Sequence, residues 1–326
     1  MPYGPAGNFT GQSGQAHLAS VFYRRKGLDR LQKKFQFRAG LTTDVLPKQQ
    51  GRTIQWYRYN NLAPSDTQTP EGVIGTSLAM SSNVVGATVS QYTSFISISD
   101  LQLDTSIAPE IQNASELLGY RAGLSVDNMT RNVLDAENAG CSQTLLGASM
   151  TVSDLRAVRT NLQARDVRPL PDGYFLAIMH PFITYDLVND PTANGLADIW
   201  KYTDPEKGAG IKYEDRGTIG NIAGCKILES TNTFSSGNSY RSYFIGDGAV
   251  TAVDLEGRGP SKVVDPTKQK FMINVIQPGK YGADPEGVIG AYVSYNFVFT
   301  TVVLEGPAGI GGTYRMRQID AASTIA

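Results

Sequence analysis

The strongest constraint on the fold is a helical period between Asp104 and Asn138. Apolar residues recur there at steps of three to four positions with one longer step, and they form one stripe along a helix: Ile107, Ile111, Ala114, Leu118, Ala122, Met129 and Val133. Ser106 is the predicted N-cap and Gly140 the predicted end. A helix of about 30 residues spans roughly 45 Å, far more than average, so we predict a single spine helix to which sheets and loops attach.

The composition indicates a β- and loop-rich chain around this helix, since 18% of the 326 residues are charged and 34 are glycine. The 29 basic and 30 acidic residues nearly balance, which argues against a dedicated nucleic-acid-binding protein. Cys141 and Cys225 fit no zinc-site spacing and are predicted to be small buried hydrophobes. The chain has no apolar run of membrane-spanning length and no signal-peptide core, so we expect a protein made in a cytoplasm, with no membrane as partner.

The N-terminal segment changes from polar to basic. Residues 1–16 are rich in Gly, Gln, Ser and Asn and are expected to form an extended arm. Residues 17–38 carry seven Lys and Arg against the single acid Asp29, with Val21, Leu28, Leu31 and Phe35 at helical spacing. This pattern fits an amphipathic arm that contacts a neighbouring subunit or a polyanion, and it fits an ordinary surface helix equally well.

Residues 51–100 contain two predicted strands joined by a long polar segment. Thr53–Tyr59 and 84–98 are rich in β-branched and aromatic residues. More than twenty residues rich in Pro, Ser, Asn, Thr and Gly separate them, which is too long for a self-contained hairpin. We therefore expect a partner subunit to cover this arm, and the alternative is a mobile surface loop on a monomer.

The second half of the chain predicts a mixed α+β body. Residues 151–166 form a helix capped by Ser153, with Leu155, Val158 and Leu162 on one face. The remaining predictions are a buried strand (174–179), a short helix after His180-Pro181 (181–187), strands around glycine turns (217–230), a hairpin (236–245) and a long core strand (291–304).

A catalytic site has weak support in the sequence. The nucleophile-elbow, phosphate-loop, HExxH zinc and EF-hand motifs are all missing. His180 and Asp186 could pair in a hydrolase, but nothing in the sequence indicates a nucleophile, so a structural histidine is favoured. We therefore predict no enzyme, no catalytic residue, no metal and no cofactor.

The order of these elements resembles that of tailed-bacteriophage major capsid proteins, which share the Hong Kong 97-like fold. An arm, a hairpin with a long tip, one spine helix and an α+β body follow one another in that family. The local motifs that carry the resemblance are Gly51-Arg52-Thr53-Ile54, Glu71-Gly72, Asn128 to Arg131, His180-Pro181 followed by Asp186-Leu187 and Trp200, and Gly217 to Ser230. The similarity extends over most of the chain from about Gly51.

This resemblance implies an α+β Hong Kong 97-like fold with four parts. These are an N-terminal arm (1–50), an extended β-hairpin loop (51–100), a peripheral domain with the spine helix (101–147 and 290–326) and an axial domain (148–289). It implies inter-subunit contacts through Arg24, Arg25, Arg52, Trp56, Arg58, Glu71 and Tyr92. Some members weld their subunits through a lysine in the extended loop, but residues 51–100 contain no lysine, so a non-covalent shell is implied.

The implied function is a major capsid protein that self-assembles into the pentamers and hexamers of an icosahedral shell around genomic DNA. The implied partners are other copies of the chain, scaffolding and portal proteins, a decoration protein, and DNA bound without sequence specificity. The implied location is the virion, with assembly in the host cytoplasm. The alternatives are another virion protein, such as a tail-tube or fibre subunit without the spine helix, and a soluble hydrolase using His180.

Overall fold

The structure is a computed structural model that describes residues 35–66, 68–75, 77–106, 109–145, 148–189, 218–256, 274–276, 289–305 and 314–324. The described residues do not include most of the basic segment 17–38, the apolar position Ile107 or the loop with Trp200.

The described chain forms a short 3₁₀ helix at Phe37–Gly40, five α-helices and fourteen strands. The helices are α1 (Asp100–Thr105), α2 (Glu110–Ala136), α3 (Asn138–Cys141), α4 (Val152–Gln163) and α5 (Pro181–Val188). The strands are β1 (Thr42–Leu46), β2 (Thr53–Tyr59), β3 (Ser82–Thr88), β4 (Ser90–Ser99), β5 (Ser142–Leu145), β6 (Phe175–Met179), β7 (Thr218–Ile222), β8 (Cys225–Glu229), β9 (Ser235–Ser236), β10 (Ser239–Ile245), β11 (Val250–Leu255), β12 (Asn274–Ile276), β13 (Ile289–Val303) and β14 (Met316–Ala322).

The strands form two large sheets and one separate hairpin. In the five-stranded sheet, the long strand β13 pairs antiparallel with β4, β11 and β12, and β1 adds in parallel to β11. The seven-stranded sheet has the order β5-β14-β10-β6-β8-β7, with β9 added to β10. Strands β2 and β3 pair only with each other within the described residues. The result is the predicted α+β architecture.

The spine helix is shorter than the sequence predicts at both ends. The predicted start belongs to the separate helix α1, and Pro109 is the N-cap of α2. A proline disfavours helical conformation in the residue before it, which explains a break at this point. Ser106 is therefore not the N-cap of the spine helix; it follows α1 and its hydroxyl donates to Glu110 Oε1 at 2.7 Å. At the other end α2 stops at Ala136, and Gly140 lies within α3.

The predicted apolar stripe of α2 packs on the five-stranded sheet. Buried side chains of α2 meet buried side chains of β13 in one cluster: Ala114, Leu118, Ala122, Val126, Val293, Tyr295, Phe297 and Phe299. Val126 fills the longer step of the sequence pattern. A Cβ atom on Gly123 would lie 2.5 Å from Cε2 of Phe35, so this glycine lets the segment before the 3₁₀ helix pack against the spine.

A buried carboxylate joins the spine helix to two other segments. Asp127 accepts hydrogen bonds from the Phe37 backbone N–H at 3.0 Å and from Asn232 Nδ2 at 2.7 Å. Burial raises the pKa of Asp127, although these hydrogen bonds oppose the shift. The carboxylate holds the 3₁₀ segment and the turn after β8 in place.

Arg241 forms a second polar joint between the spine helix and the seven-stranded sheet. It donates to Asp320 through Nε at 2.6 Å and Nη2 at 2.9 Å, and to Asp135 Oδ1 through Nη1 at 3.1 Å. Burial lowers the pKa of Arg241, but the two carboxylates outweigh burial and raise it. Tyr243 also donates to Asp135 at 2.7 Å.

The seven-stranded sheet provides the main core, and all five residues of β6 are buried as predicted. Leu155, Val158 and Leu162 of α4 pack on this sheet, also as predicted. The N-cap of α4 is Thr151 rather than Ser153, because Thr151 and Asp154 form a reciprocal capping box. The predicted glycine turns occur at Gly224 (φ 81°), between β7 and β8, and at Gly237 (φ 59°), between β9 and β10.

Both cysteines are buried and free, which confirms their prediction as core residues. Burial raises the pKa of Cys141 to about 12 and that of Cys225 to about 11. At neutral pH both are therefore unreactive thiols.

Candidate subunit interface

The hairpin β2–β3 is the part of the described chain that the rest of the subunit covers least. Its register pairs Thr53 with Thr88 and Tyr59 with Ser82, and one further backbone hydrogen bond runs from Asn60 N–H to Ser81 O at 2.9 Å. The described residues of the tip lie between Asn60 and Ser81 and contain no helix or strand. Because successive side chains of a strand point to opposite faces, the hairpin has an inner and an outer face.

The base of the hairpin is anchored on the five-stranded sheet. Ala87 of β3 is buried in a cluster with Leu46, Val253 and Val298, which come from β1, β11 and β13, and Val85 of β3 is also buried. The next strand along the chain, β4, pairs with β13 along ten positions. The hairpin therefore leaves the body at a well-packed edge.

Two polar contacts extend this anchor along the inner face. The Trp56 indole Nε1 donates to Asp44 Oδ2 at 3.0 Å. One step further out, Arg58 forms an ion pair with Glu305, which is buried. Since Trp56 and Arg58 alternate with Tyr57, both point to the body while Tyr57 points away.

The outer face and the tip carry an apolar surface that the subunit does not cover. Every described residue from Tyr57 to Val84 is exposed. Large hydrophobic side chains among them are at least half exposed, and Ile74 is 96% exposed: Tyr57, Tyr59, Leu62, Val73, Ile74, Leu78, Met80 and Val84. Exposed apolar surface on this scale marks an interaction site.

The structure places the predicted contact residues in different environments. Arg24 and Arg25 lie outside the described residues. Trp56 and Arg58 bind within the subunit, at the inner face of the hairpin. Their use in contacts between subunits stays a prediction, with the geometry now favouring a role as anchors.

The other three predicted residues are exposed. Arg52 lies at the base of the hairpin, where its carbonyl accepts a hydrogen bond from Val89 N–H at 3.0 Å. Glu71 lies in the turn that Pro70 and Val73 close in the tip. Tyr92 is on β4, where its ring stacks on Phe297 with a centroid distance of 5.6 Å and is 37% exposed.

Sequence reasoning missed the outer-face residues Tyr57, Tyr59 and Val84. A signal for them exists, because aromatic residues occupy consecutive positions at Trp56-Tyr57, so one of them must face away from the body. No sequence signal identifies Asp44 and Glu305 as anchors, since Glu305 is 247 residues from Arg58.

The described contacts of His180 include a helix cap and an aromatic stack. Its Nδ1 accepts the Phe182 backbone N–H at 3.2 Å and so caps α5. The ring also stacks on Tyr240 with a centroid distance of 4.3 Å. The Asp186 carboxylate accepts hydrogen bonds from the backbone N–H and hydroxyl of Thr324.

Two kinds of site are missing from the described part of the chain. Across these ranges, no three His, Cys, Asp or Glu side chains lie together in a way that could hold a metal ion. None of the helices there is long and apolar enough to cross a membrane.

Comparisons with known proteins identify the fold through structure alone. No protein-family model matches the sequence, and no curated protein matches it either. Among solved structures, a chain of the capsid of cyanophage P-SCSP1u is similar, with a TM-score of 0.65, 12% identity and coverage of 96% of each chain. The capsid of Ralstonia phage GP4 gives a TM-score of 0.66 at 12% identity, covering 94% of this chain and 96% of that one. The head structure of Helicobacter pylori bacteriophage KHP40 gives 0.62 at 10% identity, covering 95% and 97%. The chain therefore has the Hong Kong 97-like fold of phage capsid subunits.

Proposed function

We propose that this chain is a major capsid protein of a tailed bacteriophage, which self-assembles into pentamers and hexamers of an icosahedral shell around the DNA genome. The observation that carries the proposal is the end-to-end match to capsid chains, which covers about nineteen-twentieths of both partners in each comparison. A shared module inside a protein of another function would match over part of its length.

The exposed hairpin supports this proposal independently of the comparisons. Its outer face and tip expose eight large apolar side chains to water in the single subunit. Burial of apolar surface is the dominant favourable contribution to protein association, so a neighbouring copy of the chain is the natural cover. Since residues 51–100 contain no lysine, this cover is non-covalent in our proposal.

The proposed division into domains starts from the sequence boundaries and is adjusted where a strand pairs in the other domain's sheet. Residues 1–50 form the arm, 51–100 the extended loop, 101–147 and 290–326 the peripheral domain, and 148–289 the axial domain. Strands β14 and β5 lie in the seven-stranded sheet with β10, so we assign 316–322 and 142–145 to the axial domain. Strands β1, β4, β11 and β12 lie in the five-stranded sheet with β13, so we assign these four strands to the peripheral domain. The proposed inter-subunit contacts include Arg24, Arg25, Arg52, Glu71 and Tyr92, joined by the outer face of the hairpin.

The proposed partners are other copies of the chain first, then scaffolding, portal and decoration proteins. Packaged DNA is a partner without sequence specificity, and a formal net charge of −1 suits a container that does not hold DNA tightly. In this proposal the protein has no catalytic activity. It assembles in the host cytoplasm and resides in the virion.

The direct test is to express the chain and analyse it by sedimentation velocity and negative-stain electron microscopy. We expect shells, tubes or capsomers of five and six subunits. In a shortened variant, the dipeptide Asn-Gly replaces residues 61–80 and closes the hairpin at the Asn60–Ser81 pair. We expect this variant to keep the subunit's urea unfolding midpoint and to form no stable shells.

A matched pair of variants separates tip chemistry from tip length. Ile74→Ser with Leu78→Ser removes apolar surface, and Ile74→Leu with Leu78→Met retains it at the same positions. We expect the first pair to weaken assembly and the second to assemble like the parent. A compact monomer or dimer at all concentrations, with scaffold added or not, would overturn the proposal.

A further inference from the structure

The ion pair between Arg58 and Glu305 joins the hairpin to the body at an unusual place. Among the described residues, Arg58 is the outermost hairpin residue with a hydrogen bond or ion pair to the body. Every described residue beyond Arg58 in the tip is exposed. The direction of the tip relative to the body therefore depends on this contact and on the Trp56–Asp44 hydrogen bond just below it.

Glu305 has a second partner that belongs to the body. Arg315 holds its carboxylate through two bonds, Nε to Oε2 at 2.6 Å and Nη2 to Oε1 at 2.7 Å. Arg315 Nη1 also donates to the Asp247 backbone carbonyl at 3.1 Å. Glu305 follows β13, Arg315 precedes β14, and Asp247 lies in the turn between β10 and β11. The three residues therefore form a binding socket for Arg58 without any contribution from the hairpin.

Arg58 and Arg315 differ in how their loss would affect the buried carboxylate of Glu305. A buried carboxylate that loses its sole cation is strongly destabilised. Glu305 keeps its bidentate partner when Arg58 leaves, so release of Arg58 leaves no uncompensated buried charge. The Arg58 side chain is itself 43% exposed, and water can solvate it after release.

We propose that the Arg58–Glu305 ion pair is a releasable latch that sets the direction of the hairpin before the subunit meets its neighbours. Arg58 acts as a positioning residue, and the socket of Glu305 and Arg315 receives it. In the latched subunit the tip is held ready for a partner, and release lets the hairpin turn on its packed base. The consequence for assembly rests on the proposed function, whereas the latch itself is a property of the single subunit.

The test measures the spread of hairpin directions in unassembled subunits by electron–electron double resonance. Spin labels are attached at Ser65→Cys in the tip and Gln163→Cys at the end of α4, both exposed positions. The native Cys141 and Cys225 are buried with raised pKa values, so they do not compete for the label. We expect the parent to give a narrow distance distribution and Arg58→Gln to widen it about twofold.

Two controls make the result specific to the latch. Arg156→Gln makes the same charge change on the exposed face of α4 and should leave the distribution unchanged. Arg58→Lys keeps the positive charge and should give a distribution nearly as narrow as that of the parent. This result would show that the widening in Arg58→Gln comes from loss of the charge rather than from loss of side-chain packing. If Arg58→Gln does not fold, the parent alone suffices, because raising NaCl from about 0.1 M to about 1 M should widen its distribution.

The outcomes separate the latch from the proposed function. An unchanged distribution in Arg58→Gln, or in the parent at high salt, would overturn the latch even if the parent forms shells. A widened distribution in a chain that never forms shells would support the latch and contradict the proposed function. If both proposals hold, light scattering should show slower shell formation by Arg58→Gln than by Arg156→Gln.

Discussion

The seven-stranded sheet and the hairpin β2–β3 use similar residues and bury them to opposite extents. In β6, the side chains from Phe175 to Met179 are all buried, and the strand lies between β8 and β10. The hairpin also carries many aromatic and aliphatic residues, yet every described residue from Tyr57 to Val84 is exposed. The sheet is stable within one subunit, whereas the hairpin needs a partner to bury comparable apolar surface.

The largest expected difference between the two regions comes from replacing one arginine in each, Arg241 in the body and Arg58 in the hairpin. Arg241→Gln leaves Asp320 without its cation among the described residues, while Asp135 keeps Arg131 at 3.6 Å, and we expect it to lower the free energy of unfolding by about 3–5 kcal/mol. Arg58→Gln leaves Glu305 paired with Arg315 and should cost at most about 1 kcal/mol. Urea unfolding of both variants measures the difference, and equal losses would contradict the contrast between body and hairpin.

A matched isoleucine pair tests the same contrast through packing. Ile178→Ala empties a fully buried site in β6 and should cost about 2–5 kcal/mol of unfolding free energy. Ile74→Ala removes the same atoms from a side chain that is 96% exposed and should change stability by less than about 0.5 kcal/mol. A clear loss of subunit stability in Ile74→Ala would show that the tip packs within the subunit.

The boundary between the two regions is tested at Trp56. Trp56→Phe keeps a ring on the inner face and removes the hydrogen bond to Asp44, at an expected cost of about 1 kcal/mol. The loss should appear as faster amide hydrogen exchange in β2 and β3, with unchanged exchange in β6 and β10. Faster exchange in both regions would mean that hairpin and body open as one unit.

The most gradual expected effect concerns the pH dependence of the body. Burial raises the pKa of Cys225 to about 11, above the value of about 8.5 for a free thiol. The stability that this thiol contributes is fully present below the unfolded pKa and is lost as pH rises through the folded value. We expect unfolding free energy to fall between about pH 9 and 11, by no more than about 1.4 kcal/mol per pH unit, with a shallower fall in Cys225→Ala.

Local patterns in the sequence predicted the elements that depend on local physics. Strand β2 has its predicted bounds, β6 and β13 lie where apolar patterns predict strands, and α5 begins at Pro181, directly after its N-cap His180. The predicted strand over 84–98 divides at Val89 into β3 and β4, which pair with different partners. Alternation of side chains does not show where a strand changes partner.

Caps and distant contacts were harder to predict for a physical reason. Ser153 and Thr151 are both good N-caps, and the backbone geometry that selects Thr151 depends on where the helix starts. The outer-face residues Tyr57 and Tyr59 carry a local signal, but the anchors Asp44 and Glu305 gain their role only when distant segments meet. The interface residues predicted from the sequence include Trp56 and Arg58, which the structure places on the inner side of the hairpin, and their contact with other subunits stays a prediction.

The central claim is that the distal hairpin obtains its cover from another subunit. Hydrogen exchange of the hairpin amides, measured in free subunits and in assembled shells, tests this most directly. We predict fast exchange from Tyr57 to Val84 in free subunits, strong protection of the same amides in shells, and protection of β6 and β10 in both states. Hairpin amides that are already protected in the free subunit, or that stay unprotected in the shell, would contradict the account.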